Sequence, residues 1–368
     1  MTISAANRVG GVFLLNYIAP QQKPNVTSAI AQTVNSRLLT SRLLTSRLFT
    51  SRLGRSTISA AISLTVLAVA SFVLYRLLRD ADFAKVVATL KAQSFQKIAT
   101  AGIFVIAGYI TLTFYDYFAL RAIDRHKVPY TIAALASFTS FTIGHSLGAA
   151  VFTGGLIRFR IYSAWGLTVI DIAKIAFITS MTFWLGNAFL LGGATAYMPE
   201  AAAAVDHLPL WINRIIGLSA LLAIACYLLW LAPGPRVIGR SGWRIVLPNL
   251  RFTLVQIGIG ALDLTLISLA MYTVLPANPA VGFVTMMVTF LTATLLGTVS
   301  HAPGGLGVIE VTMLVGLPQF QREELLAALL TFRALYFVLP LLLAAFSLGV
   351  RELYLLARPA AARSDHGA

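Results

Sequence analysis

Ionisable residues stand where the sequence is otherwise apolar enough for a lipid bilayer, among them Asp116, Asp171, Lys174, Asp263, Glu310 and Arg333, with Arg158 just past the end of such a run. A charge held at mid-membrane costs about 2.5–3.5 kcal/mol on insertion scales, so several together imply partners or a wet cavity. Asp263 lies near the middle of its apolar run with no charged residue within a helical turn, which makes it the leading intramembrane candidate. Asp116 lies nearer the end of its run, within reach of water. Arg333 is placed to answer Asp263 or Glu310 across a bundle, or to meet a lipid phosphate. Asp171 and Lys174, three apart, share one helical face and can pair with each other. His145 and His301 have no HxxxH or HExxH spacing, so capping of a broken helix explains them better than a metal site, and no cofactor is expected. Ser146 and Ser300 lack a nucleophile-elbow context, so covalent catalysis gets no support and an enzyme is not expected.

The stretch SHAPGGLGVIE, residues 300–310, explains how such groups could be sheltered. Gly304, Gly305 and Gly307 permit backbone shapes that side chains forbid, and Pro303 removes a donor and stops the preceding helix. The freed backbone groups are tolerable only where they face protein or water. A half-helix beginning near Gly305 would aim its positive dipole end into the site, with Glu310 about a turn and a half further on.

Of the 368 residues, 58% are hydrophobic and 11% charged, far from the balance of a soluble domain. Many apolar runs match a bilayer's thickness and none alternates as a barrel strand would, so the chain reads as an all-α polytopic membrane protein. The net charge of +15 gathers at the ends of the apolar runs and in the N-terminal arm. Topology signalling and attraction to anionic lipid account for it, and nucleic acid is not an expected partner. Cys226, alone and inside an apolar run, excludes an internal disulfide.

Residues 1–56 form a basic arm, expected to be disordered and cytoplasmic, in which SRLLT repeats set Arg37, Arg42, Arg47 and Arg52 five apart. Five residues advance a helix by about 500°, so these arginines wander round every face. Residues 57–350 form the membrane domain and 351–368 a cytoplasmic tail. Apolar runs fall at 57–78, 98–120, 131–157, 167–191, 208–231, 251–275, 280–316 and 326–350, and residues 79–97 suit an interfacial helix. Loops 121–130, 158–165 and 232–250 are basic, whereas loop 192–207 carries only Glu200 and Asp206. The positive-inside rule then puts both ends of 131–157 inside and both ends of 280–316 outside. Each must enter and turn back, giving six crossings and two re-entrant hairpins; eight ordinary crossings is the competing topology.

SFTSFTIGHSLGAAVFTGGLIRFR (137–160) and TFLTATLLGTVSHAPGGLGVIE (289–310) both run through a Ser/Thr-rich apolar sequence to a histidine, then Gly-Gly-Leu, then a charge. Each follows an aspartate-bearing helix, and the two helices run in opposite senses. That is an inverted repeat with broken helices, a recurring transporter plan.

At these residues the sequence resembles the transmembrane region of lysylphosphatidylglycerol synthases and its standalone relatives, over roughly 98–350. In the two-part synthases a soluble domain transfers the amino acid and the membrane region moves the product outward. The present sequence has no such domain before Ala368, so the resemblance implies translocation without synthesis. It assigns Pro303, Gly304, Gly305, Gly307 and Glu310 to the site, with Arg158 from the first-half motif. The leading expectation is a lipid flippase of the bacterial inner membrane. Asp116, Asp263 and Glu310 would suit a cationic aminoacylated headgroup, and Arg158 and Arg333 its phosphate. Two alternatives stand: an ion-coupled transporter of a small solute using Asp263, and a non-catalytic partner of a separate lipid-modifying enzyme. No GxxxxGK[ST] motif is present to bind ATP.

Overall fold

The structure is a computed structural model that describes residues 83–147, 150–234, 236–238 and 245–357. The expected arm over 1–56, the expected first span over 57–78 and the tail beyond 357 lie outside the described residues.

A short charged helix, α1 (Phe83–Ala92), precedes the long α2 (Phe95–Ala122). The next apolar run divides into α3 (Tyr130–Leu147) and α4 (Ala150–Tyr162). Then come α5 (Val169–Tyr197), the short α6 (Pro199–Asp206) and α7 (Leu210–Leu231). A two-residue antiparallel pair, β1 (Val237–Ile238) with β2 (Ile245–Val246), lies in the loop before α8 (Leu250–Val274). The second divided run gives α9 (Phe283–Ser300), a 3-10 turn (Pro303–Gly305) and α10 (Val308–Gly316). The last span is α11 (Arg322–Arg333), a π-helical segment (Ala334–Val338) and α12 (Leu339–Ala357).

Local signals set the helix starts. Thr168 and Asp171 make a capping box at the head of α5, and Asn249 accepts from the Phe252 amide at the head of α8. Among the described residues six helices are long and apolar enough to cross a membrane: α2, α5, α7, α8, α9 and the α11–α12 span as far as Arg351. Their outward faces carry bare apolar side chains such as Ile103, Leu222 and Phe346, as a lipid-facing surface requires. The protein is an all-α polytopic membrane protein.

The two aspartate helices, α2 and α8, pack antiparallel. Lys97 at the start of α2 donates to the Leu275 carbonyl just beyond the end of α8, whereas Phe118 near the end of α2 meets Phe252 at the start of α8. This fixes the directions of both hairpins. The α3–α4 hairpin follows the end of α2, and the α9–α10 hairpin follows the end of α8, so they reach in from opposite ends of the bundle. Each folds back on itself. Gly154 of α4 sits so close to the Ser140 carbonyl of α3 that a Cβ there would lie 3.1 Å from it. Gly305 and Ile309 lie against Gly297 of α9. The two divided runs are therefore helix–break–helix hairpins of opposite sense, as the inverted repeat requires. The 121–130 and 158–165 loops and the described parts of the 232–250 loop lie at one end, and the 192–207 segment lies at the other.

Four local differences from the sequence expectation stand out. Within the 192–207 loop, Pro199 starts the unforeseen α6, whose Val205 would lie 3.1 Å from a Cβ on Gly316. α12 runs on to Ala357, past the 350 boundary expected for the membrane domain. The last span is interrupted by the π segment, which sequence periodicity does not show. Residues 83–92 form the short helix foreseen between 79 and 97, but Val86 is buried against Leu326 and Ala327 of α11, so one face belongs to the core.

Candidate functional site: a cavity between two hairpin tips

A cavity of about 340 Å³ lies where the two tips meet. The first hairpin contributes Gly144, His145 and Phe152, and the second contributes His301, Gly304 and Gly305. Leu264 and Ile267, from the middle of α8, form its wall, with Phe332, Tyr336 and Phe337 opposite. Its polar edge is sparse: the histidines, Thr294 and Thr298. Phe152, one of its lining residues, is 77% exposed, so the cavity reaches the outer surface beside an apolar side chain of the first hairpin.

Backbone geometry builds the second tip. His301 ends α9 in the left-handed region with φ 56°, its Nδ1 2.8 Å from the Val299 carbonyl. Gly304, Gly305 and Gly307 follow at φ 58°, 62° and 81°, conformations glycine adopts without steric cost. His145, near the end of α3, has its Nδ1 3.0 Å from the Phe141 carbonyl and stacks on the Phe141 ring. With each Nδ1 used this way, each histidine keeps Nε2 for the cavity.

Four of these charges, Asp116, Arg158, Glu310 and Arg333, are spent on one another. Arg158 of α4 reaches Asp116 of α2 with Nε at 2.9 Å from Oδ2 and Nη2 at 2.8 Å from Oδ1, and Tyr162 donates to the same carboxylate at 2.9 Å. The expectation that Asp116 meets water is corrected: it is completely buried. Glu310 of α10 is bound by Nε of Arg333 and accepts from the Gly307 amide at 2.8 Å, while Arg333 Nη1 donates to the Gly304 carbonyl at 2.9 Å. Of the partners open to Arg333, the structure selects Glu310. Each pair ties a hairpin to its scaffold helix with reversed polarity, the arginine riding on the first hairpin and the carboxylate on the second.

Two further expectations change. The N-terminus of α10 begins at Val308 and is filled by its own Glu310, so the dipole end is not left open to a ligand. Asp171 does not pair with Lys174; it caps α5 and takes Arg125 at 2.8 Å, because its N3 position points it back at the helix start. Asp263 stands apart. It is 3% exposed, Tyr115 donates to its Oδ2 at 3.1 Å, and its Oδ1 has no hydrogen-bond partner. Sequence reasoning missed Tyr115, Arg125 and Tyr162. Of these only Tyr162 left a trace, one helical turn after Arg158.

A multi-pass α-helical membrane protein with a cavity between two opposed broken hairpins is the class these features define. No family model matches the chain. It is 33% identical over 265 residues to the uncharacterized protein slr0712 of Synechocystis sp., covering 71% of this chain and 82% of that protein, and it belongs to the same family. It is also similar to the inner membrane protein YbhN of Escherichia coli, 29% identical over 249 residues, 65% of this chain and 75% of that one. With its membrane-spanning helices, that likeness makes it a multi-pass inner-membrane protein.

Proposed function

We propose that the protein is a lipid translocator, moving a phospholipid headgroup between leaflets through the cavity while the acyl chains stay in the bilayer, and that it performs no bond-making chemistry. The observation that carries this reading is that the cavity reaches the surface at Phe152, an exposed apolar side chain of the first hairpin. The cavity's volume is that of a headgroup-sized site, within the roughly 300–1,000 Å³ of small-ligand pockets. Phe152, which lines it, and Leu156 and Leu306, which lie near lining residues along the two hairpins, are exposed apolar side chains that suit acyl chains and not bulk water. A soluble solute needs a path from one end of the bundle, whereas a lipid needs one from the side.

The lining does not favour a cationic headgroup. The Thr294 and Thr298 hydroxyls donate to the Leu291 and Thr294 carbonyls, His145 and His301 each set Nδ1 against a backbone carbonyl, and the carboxylates of Asp116 and Glu310, which a cationic headgroup would want, are held by arginines. Aminoacylated phosphatidylglycerol, the cargo implied by the resemblance to the synthases, is therefore the second headgroup to test. The basic end of the bundle is the cytoplasmic one by the positive-inside rule, and the N-terminus lies on that side. The test is dithionite bleaching of fluorescent phosphatidylglycerol in proteoliposomes. Protein-dependent bleaching of inner-leaflet label supports the reading. Gradient-driven uptake of a solute with no lipid exchange would replace it with a secondary transporter.

A further inference from the structure

We propose that Asp263 is a proton-binding site, occupied in the conformation described here, and that Tyr336 connects it to the cavity. An ionised carboxylate removed from water needs a counter-charge or several hydrogen bonds, and without them the neutral acid is the cheaper form. Asp263 has one hydrogen bond, from Tyr115, and a bare Oδ1. Among the described residues no Lys, Arg or His comes within ion-pair distance of it, although the three other buried acids, Asp116, Asp171 and Glu310, have their arginines. The contrast is local and chemical: four buried carboxyl groups, three neutralised by guanidinium groups and one left to a proton.

The surroundings are those of a relay. Tyr115 of α2 donates to the carboxyl, and Tyr109 of α2 and Tyr336 of the π segment lie close enough for its charge to bear on their hydroxyls. Tyr109 donates to the Tyr336 backbone carbonyl at 2.9 Å, which holds the pair together. Tyr336 also lines the cavity, as does Leu264, the next residue after Asp263. From the other elements packed on α8, namely α5, α7, α9 and α11, no charged side chain acts on the carboxyl. On α2 itself Asp116 is already committed to Arg158 and Tyr162. A proton on Asp263 would pass to the cavity by way of these tyrosines, with no competing charge beside it. Coupling of that proton to transport rests on the translocator reading above; the site itself does not.

The experiment is infrared spectroscopy of the whole purified protein in lipid nanodiscs at neutral pH. The expected result is a protonated-carboxyl C=O band that disappears in Asp263→Asn and shifts in frequency in Tyr115→Phe, which removes its hydrogen bond. Absence of the band from the wild type, or its survival in Asp263→Asn, overturns the proposal. Asparagine keeps the carboxyl's size, and Tyr115→Phe gives a second readout if the first variant folds poorly. Lipid exchange under an imposed pH gradient separates the two failures. Wild-type exchange indifferent to the gradient removes coupling and leaves translocation standing, whereas no exchange at all removes translocation and leaves the infrared band to decide the site.

Discussion

Arg158 grips Asp116 through Nε and Nη2 at 2.9 and 2.8 Å, and neither side chain is more than 7% exposed. The residues belong to different helices, so this contact seats the first hairpin on α2. Removing one partner of such a pair strands the other as an uncompensated buried charge, whereas removing both need not cost anything. Arg158→Ala should therefore destabilise by about 3–5 kcal/mol. The triple change Asp116→Leu, Arg158→Met and Tyr162→Phe, which leaves no stranded polar group, should come close to wild type. Thermal unfolding in detergent ranks the three proteins. A triple variant as unstable as the single one would show that the pair is more than a fastener.

Gly305 adopts φ 62°, and a Cβ there would sit 2.7 Å from Ile309 Cδ1. Gly305→Ala should cost about 1–2 kcal/mol from the left-handed backbone alone. Gly155→Ala, on α4 with nothing within 4 Å of the new methyl, should be neutral or slightly stabilising. Melting curves of the two variants test whether the second tip is conformationally demanding.

Asp171 closes the capping box of α5 and takes Arg125, not Lys174. Asp171→Ala should lose about 1 kcal/mol of helix-cap stability. Arg125→Ala should lose less, because its side chain is 43% exposed, and Lys174→Ala should be nearly silent. Equal effects at Lys174 and Arg125 in the same melts would contradict the assignment.

The loop between α7 and α8 and the loop between α5 and α7 lie at opposite ends of the bundle. Labelling starts from Cys226→Ser, so that the introduced cysteine is the one thiol present. Single cysteines at Val237 and Glu200 should then be reached by an impermeant maleimide from opposite sides of the membrane, Glu200 from outside the cell. Labelling of both from one side would contradict the topology.

Much of this architecture is legible in the residues. Gly304, Gly305 and Pro303 announce the second break because their backbone chemistry is local, and loop charge places the hairpins on opposite sides because basic residues accumulate in loops. What the chain order hides is who meets whom across helices. Asp116 and Arg158 lie 42 positions apart, so no helical spacing rule links them. The Asp171–Lys174 expectation failed for the complementary reason: an i,i+3 rule sees only one helix, and the structure supplied Arg125 from a neighbouring loop. Asp263 was conspicuous from sequence because nothing charged lies near it, and the fold keeps it that way.

The central claim is that cargo crosses through the cavity between the tips. Thr294 lines that cavity without belonging to either ion pair, and Thr294→Trp would fill it. The decisive measurement is leaflet exchange of fluorescent phosphatidylglycerol in proteoliposomes bearing the wild type or Thr294→Trp, each shown to be folded. The account predicts exchange with the wild type and at least a tenfold loss with the tryptophan. Undiminished exchange through the filled cavity, or wild-type vesicles no faster than protein-free ones, would contradict it.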